Sequence, residues 1–204
     1  MRIFLARHGE TTWNQENRLQ GRIDTALSTR GVAQAEALAS LLAAQPITAI
    51  YTSTLRRSRD TAKPLAARLG LEVRARFELD EMSYGILEGS LVHAPGSEFE
   101  PLYTARNADP LAFRPPGGEA YADVHVRLVP FVAELRARHA GEAVLVIGHR
   151  ATNRVLWALL LERPLAECIA LKHKHDRILE FHLGAVPECI EHRYEVNSTP
   201  LENP

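Results

Sequence analysis

Two apolar runs, far apart in the chain, end the same way. Arg2-Ile3-Phe4-Leu5-Ala6 stops at Arg7-His8-Gly9, and Ala143-Val144-Leu145-Val146-Ile147 stops at Gly148-His149-Arg150. A short continuous apolar run bounded by a polar turn reads as a buried strand. Ligands of open α/β sheets sit beyond the carboxyl ends of such strands. If both strands are parallel in one sheet, His8 and His149 meet at one edge. One histidine after a strand is more often structural. Two at matching positions, each beside an arginine and a glycine, point to a site.

The segments between these runs alternate between helical and strand patterns. Ser28 or Thr29 caps a helix to about Ala44, with Val32, Ala35, Leu38, Ala39 and Leu42 at helical spacing. A strand over 47–52 leads through Thr52-Ser53-Thr54 into a helix over 55–69, closed by Gly70. A short strand at 71–73 follows. A helix over 119–139 carries Val124, Leu128, Phe131 and Leu135 on its apolar stripe, and another covers 152–161. Strands near 169–171 and 178–182 finish the pattern. The alternation predicts an α/β fold, a three-layer α/β/α sandwich with a mostly parallel central sheet. From Glu88 to Gly118 the periodicity is poor, and Pro95-Gly96, Pro110 and Pro115-Pro116-Gly117-Gly118 punctuate it. That stretch reads as a small lid insertion, about 89–117, with a short helix near 98–107, inside a single domain over 1–204. The tail after Val196 reads as loose.

Charge and cysteine content exclude several classes. The net charge of -1 offers no electrostatic case for nucleic acid or an anionic membrane. No apolar run could span a bilayer, and residues 1–6 are too short for a signal peptide. Cys168 and Cys189 form no disulfide framework and lack metal-ligand spacing. A cytoplasmic protein is the expectation, with a homo-oligomer left open.

A third cluster, Thr52-Ser53-Thr54-Leu55-Arg56-Arg57-Ser58-Arg59-Asp60-Thr61-Ala62, also follows a strand and opens a helix. A helix N-terminus attracts anions, and arginine adds a planar fork that matches phosphate oxygens. Alone, such a segment is an ordinary solvated helix face. Beside Arg7 and two strand-end histidines it reads as part of a phosphate pocket.

In this order the blocks resemble the histidine phosphatase superfamily, which includes cofactor-dependent phosphoglycerate mutases and fructose-2,6-bisphosphatases. The resembling residues are Arg7-His8-Gly9-Glu10-Thr11 with Trp13-Asn14, Asp24-Thr25-Ala26-Leu27-Ser28 with Gly31, and Ser53-Thr54-Leu55-Arg56-Arg57 with Thr61-Ala62. Leu79-Asp80-Glu81 with Tyr84-Gly85 and Glu88-Gly89, Pro116-Gly117-Gly118-Glu119, and Gly148-His149 complete the set. The resemblance implies that His8 takes the phosphoryl group as phosphohistidine. It implies that Arg7, Arg57 and His149 hold the non-bridging oxygens, and that Asn14 is a further donor. Glu81 is the implied general acid and base, with Asp80 the alternative. The leaving group is expected against Gln20-Gly21-Arg22 and the 90–115 segment, with His93, Tyr103, Arg106 and Arg114 as candidate contacts.

No metal or cofactor is implied. His173-Lys174-His175-Asp176 is the nearest metal-like pattern, and it reads as solvated or as part of a substrate rim. One departure is Arg150, where many relatives carry glycine. If its side chain enters the pocket, it suggests a second anionic group on the substrate; it can equally point to solvent. The short insertion favours a phosphatase acting on a small-molecule phosphoester over a phosphoglycerate mutase, which needs a site closed to water. A non-catalytic phosphate-binding or interaction module is the third reading, disfavoured because Arg7, His8, Asn14, Arg57, Glu81 and His149 are all present.

Overall fold

The computed structural model describes residues 1–92 and 95–196. Strand β1 (Arg2–Arg7) lies inside a sheet, parallel to β4 (Ala143–Gly148) on one side and antiparallel to β5 (Arg177–His182) on the other. Among the described residues the sheet has six strands. Strand β2 (Ile47–Thr52) and strand β3 (Val73–Ala75) extend it in parallel beyond β4, and β6 (Glu188–Arg193) pairs antiparallel with β5.

Side chains alternate along β1 between two cores. Ile3 and Leu5 pack with Leu128, Phe131, Ala151 and Val155. Phe4 and Ala6 pack with Leu38, Ala39, Ala62 and Leu65. Helices α5 (Tyr121–Arg138) and α6 (Arg150–Leu160) therefore cover one face, and α2 (Thr29–Leu42) and α3 (Arg56–Leu69) the other. A sheet covered on both faces needs apolar residues at every position, so β1 and β4 read as unbroken apolar runs. This is the α/β sandwich expected.

Local caps follow the sequence chemistry. Ser28 Oγ accepts from the Gly31 amide at 3.1 Å, and Gly70 ends α3 with φ of 64°. The segment between β3 and α5 is anchored rather than free-standing. Its helix α4 (Glu100–Ala108) buries Tyr103, whose hydroxyl bonds Ser90 Oγ at 2.8 Å. Phe99, Leu102, Leu111 and Phe113 pack against the core beneath α5 and α6.

Register delivers the site. Arg7 pairs with Gly148 and Thr52 with Ile147, so three strands end level. The His8 amide donates to the Gly148 carbonyl at 3.1 Å. His8, His149 and Ser53 leave the sheet side by side.

The third strand begins at Val73 rather than Leu71, because the Leu71 amide is spent on the Ala66 carbonyl in the turn that closes α3. The expected strand at 169–171 belongs instead to a 3-10 turn, Leu165–Ala170. Both edges of β1 are taken by β4 and β5, so that segment does not join the sheet beside it. Strand β6 was not legible, since its alternation is mostly polar and half-exposed, as on an edge. Val32 lies on the outer side of α2, 40% exposed. Residues after Val196 lie outside the described residues. Among the described residues, no helix is long and apolar enough to cross a membrane.

Candidate active site

His8 is 3% exposed. Its Nδ1 faces the Gly9 carbonyl at 2.8 Å. A carbonyl only accepts, so Nδ1 carries the hydrogen and Nε2 keeps its lone pair. Burial holds the imidazole well below its ordinary pKa of 6.5, aided by His149, Arg57 and Arg7. The ring is thus neutral at physiological pH with a nucleophilic nitrogen available. It sits between two other imidazoles, with ring centroids 5.0 Å from His149 and 5.3 Å from His175.

Arg57, from the first turn of α3, is 1% exposed. Its Nε donates to His149 Nδ1 at 3.3 Å, Nη1 to the Ile23 carbonyl at 2.8 Å and Nη2 to the Gly21 carbonyl at 2.7 Å. Because His149 Nδ1 accepts, its Nε2 carries the hydrogen and donates to Ser53 Oγ at 2.7 Å. Burial, then Arg57 and Arg7, hold His149 well below 6.5. Arg7 has a buried Nε with no hydrogen-bond partner among the described residues. Burial lowers its guanidinium to about 10, against the pull of Glu81. A buried, unpaired donor costs about 1–3 kcal/mol.

Glu81 is 7% exposed and lies at the start of α6. Its Oε1 accepts from the amides of Met82 (2.9 Å), Ala151 (3.1 Å) and Thr152 (3.3 Å). Its Oε2 has only the Ala151 amide, at 3.3 Å. The helix begins at Arg150, two residues earlier than the expected Thr152, and those two residues are what bring its first amides to Glu81. The Glu81 loop is clamped from α5: Arg127 donates to the carbonyls of Glu78 and Asp80. Asp80 itself faces away, with Oδ1 accepting from the Thr54 amide and hydroxyl at 2.8 Å each.

Arg7, His8, Arg57 and Glu81 line one cavity of about 250 Å³. Asn14, Gln20, Gly21 and Arg150 line it too. Asn14 Oδ1 accepts from the Thr11 amide and hydroxyl at 3.1 Å each, capping the short helix α1 (Thr12–Gln15). That leaves the Nδ2 donors for the cavity. Gln20 Oε1 accepts from Thr25 Oγ1 at 2.7 Å, which orients its amide. Gly21 has φ of 53°, and a side chain there would collide with the Glu88 carboxylate.

Several expected residues lie elsewhere. His149 backs onto His8 and Arg57 without lining the cavity. Arg22 turns to Glu119 at 3.0 Å, Arg114 to Asp123, and Tyr103 to Ser90, each drawn to a partner outside the cavity. His93 lies outside the described residues. The solvated or rim reading of His173 and His175 is overturned. His173 is 3% exposed, donating from Nε2 to the Arg177 carbonyl and accepting from Asn153 Nδ2, both at 3.1 Å. His175 donates from Nδ1 to the His8 carbonyl at 2.6 Å, and burial pushes its pKa down to about 3. Residues 173–174 form neither strand nor helix, and 175–176 make a turn that His175 ties to the end of β1. Among the described residues no group of three or more His, Cys, Asp or Glu side chains could hold a metal ion.

The sequence reading missed Asn17, Arg18 and Leu19, all of which line the cavity; Val92 and Arg106 line it too and lie in the expected 90–115 segment. Asn17, Arg18 and Leu19 follow the stop of α1 at Gln15, an element the sequence reading did not place.

Residues 3–185 match the model of the family described as histidine phosphatase superfamily (branch 1). The chain is 34% identical over 198 residues to 6-phosphofructo-2-kinase/fructose-2,6-bisphosphatase of Arabidopsis thaliana, covering 95% of this chain and 26% of that protein. It therefore spans about a quarter of that bifunctional relative. It is 33% identical over 167 residues to phosphoserine phosphatase 1 of Hydrogenobacter thermophilus, covering 82% of this chain and 79% of that protein. The solved structure of mycobacterial glucosyl-3-phosphoglycerate phosphatase with VO3 superposes with a TM-score of 0.80 at 32% identity, covering 95% of this chain and 98% of that one.

Proposed function

The chain belongs to the histidine phosphatase superfamily (branch 1), and on that premise we propose that it is a phosphoric monoester hydrolase working through phosphohistidine on His8. The observation that carries this reading is one juxtaposition. A neutral imidazole with a free Nε2 shares a cavity with two guanidiniums, one holding an unpaired Nε, and with one buried carboxylate.

The lone pair of His8 Nε2 attacks the phosphorus of a small phosphorylated metabolite, and the bond to the ester oxygen breaks. Glu81 gives a proton to the departing alkoxide from Oε2, the oxygen with the weaker hydrogen bond. Water then attacks the phosphohistidine and passes a proton to Glu81. The phosphorus–nitrogen bond breaks, releasing inorganic phosphate. Arg7 and Arg57 neutralise charge on the non-bridging oxygens, with Asn14 Nδ2 as a further donor. Gln20, Gly21 and Arg150 face the leaving group. His149 holds Arg57; to donate to phosphate from Nδ1, it would need a proton there, which the negative charge of a bound substrate favours. The guanidiniums supply the charge, so the reaction needs no metal. The protein's proposed substrates are small molecules, and its proposed location is the cytoplasm.

The test is phosphate release from a panel of phosphorylated metabolites, in EDTA and without bisphosphoglycerate, comparing wild type with His8→Ala. Steady release by wild type, abolished in His8→Ala, is the expected result. Full activity in His8→Ala overturns the nucleophile. Interconversion of phosphoglycerates with little phosphate release replaces the hydrolase with a mutase.

A further inference from the structure

Helix α6 buries an asparagine near its start. Asn153 is 0% exposed and does not line the cavity. Asparagine is a poor residue inside a helix, because its carboxamide competes for backbone hydrogen bonds. Here the carboxamide is turned away from its own helix. Its Nδ2 donates to the Ala6 carbonyl at 2.9 Å and to His173 Nδ1 at 3.1 Å. A carbonyl only accepts, so the nitrogen rather than the oxygen faces Ala6. Asn153 Oδ1 is buried with no hydrogen-bond partner among the described residues. It lies against Gly148: a Cβ there would stand 2.3 Å from Oδ1, and its three nearest atoms would all belong to Asn153. The Asn153 amide donates to the His149 carbonyl at 2.8 Å.

Asn153 therefore touches both strands that end in a histidine. Ala6 precedes His8 by two residues on β1, and Gly148 immediately precedes His149 on β4. The two imidazoles these strands carry stand 5.0 Å apart at their centroids. His173 extends the tie to β5 through the Arg177 carbonyl. Stability alone does not account for this residue. A buried carbonyl without a donor is destabilising, and an apolar side chain of similar shape would avoid it. Resting on the hydrolase reading, we propose that Asn153 is a positioning residue for the two histidines. It holds the end of β1 against the end of β4 from behind the site. That sets the line along which His8 Nε2 meets a phosphoryl group held by Arg7 and Arg57. Gly148 is a glycine because the Asn153 carboxamide fills the space a side chain would take.

The experiment measures kcat and KM separately, with p-nitrophenyl phosphate and the phosphorylated-metabolite panel. Asn153→Leu, close in shape and without polar side-chain atoms, should lower kcat about 10- to 100-fold, the cost of a misplacement of about 1 Å. Its KM should stay within about threefold, since the guanidiniums that bind phosphate are untouched. Its urea midpoint should stay near that of wild type, because the lost hydrogen bonds and the removed orphan carbonyl oppose each other. Gly148→Ala keeps every hydrogen-bonding group yet pushes the carboxamide aside. It should lower kcat in the same way, and it takes the place of Asn153→Leu if that variant does not fold. Asn153→Ala vacates the space, so Gly148→Ala added to it should cost nothing further, the non-additivity of residues in contact. Wild-type kcat in folded Asn153→Leu overturns the proposal. So does a raised KM at unchanged kcat, or additive effects of Gly148→Ala and Asn153→Ala. The ring 15N NMR shifts of His8 and His149 read the same placement without turnover, and both should move in Asn153→Leu and in Gly148→Ala; unmoved shifts overturn the proposal. If wild type turns over no ester while those shifts move, the hydrolase reading has failed and the positioning stands. If wild type and variants turn over esters equally, the positioning has failed alone.

Discussion

His173 couples the stability of this fold to pH. Its Nε2–H donates to the Arg177 carbonyl, and its Nδ1 accepts from Asn153 Nδ2, which also donates to the Ala6 carbonyl at 2.9 Å. A proton added at Nδ1 would face the amide hydrogens of Asn153. Burial sets the folded pKa at about 4, against about 6.5 in the unfolded chain. The folded state therefore binds fewer protons than the unfolded state between these values. Stability is complete above 6.5 and falls as pH falls towards 4. Linkage at these two pKa values gives a loss of about 2 kcal/mol between pH 7 and pH 5 from this residue alone. The assay is urea unfolding of wild type and His173→Gln at both pH values. The variant loses some stability at pH 7 through its altered hydrogen bonds, but that cost is common to both pH values and cancels. The expected result is that wild type loses about 2 kcal/mol more than the variant between pH 7 and 5, at similar m-values. Equal losses in the two proteins would refute the buried, neutral His173.

Glu81→Gln keeps an acceptor for the α6 amides but cannot move a proton. With alkyl phosphates its kcat should fall about 10²- to 10⁴-fold. With p-nitrophenyl phosphate, whose leaving group needs no proton, phosphohistidine should accumulate and be visible by mass shift or 31P NMR under alkaline quench; rapid turnover with no trapped intermediate would remove Glu81 from the second step. His175 steadies His8 from behind through its 2.6 Å hydrogen bond to the His8 carbonyl and its ring packing. His175→Phe should lower kcat several-fold with KM little changed, and His175→Gln, which retains a donor, should recover part of it; equal kcat in all three proteins would show that the contact does not position the nucleophile.

Asp80 and Glu81 illustrate the limit of reading residues alone. Neighbours of the same chemistry, they were separated in the sequence only by a family pattern. In the fold their backbones leave the same turn, but Asp80 meets Thr54 and Glu81 meets the first amides of α6. The difference is a tertiary contact, invisible to spacing. His173 and His175 show the opposite error. Two histidines in a polar run read as solvated or on a substrate rim, yet His173 is buried and bonded to Asn153 and the Arg177 carbonyl, and the half-buried His175 is bonded to the His8 carbonyl. Polar residues are buried when partners exist, and partners come from distant chain.

The pattern of apolar runs by itself determined the layered α/β fold, because a sheet covered on both faces demands unbroken apolar strands. It also placed His8, Arg57 and His149 at strand and helix ends, since those breaks are local. Tertiary structure alone decided which side chains share a cavity. Level register of β1, β2 and β4 joined the histidines, and the early start of α6 captured Glu81. The segment after α1 brought in Arg18, while Arg22, Tyr103 and Arg114 were drawn off by partners elsewhere. Long polar side chains reach several ångströms from their backbone, so their destination depends on which partner the assembled fold puts within reach.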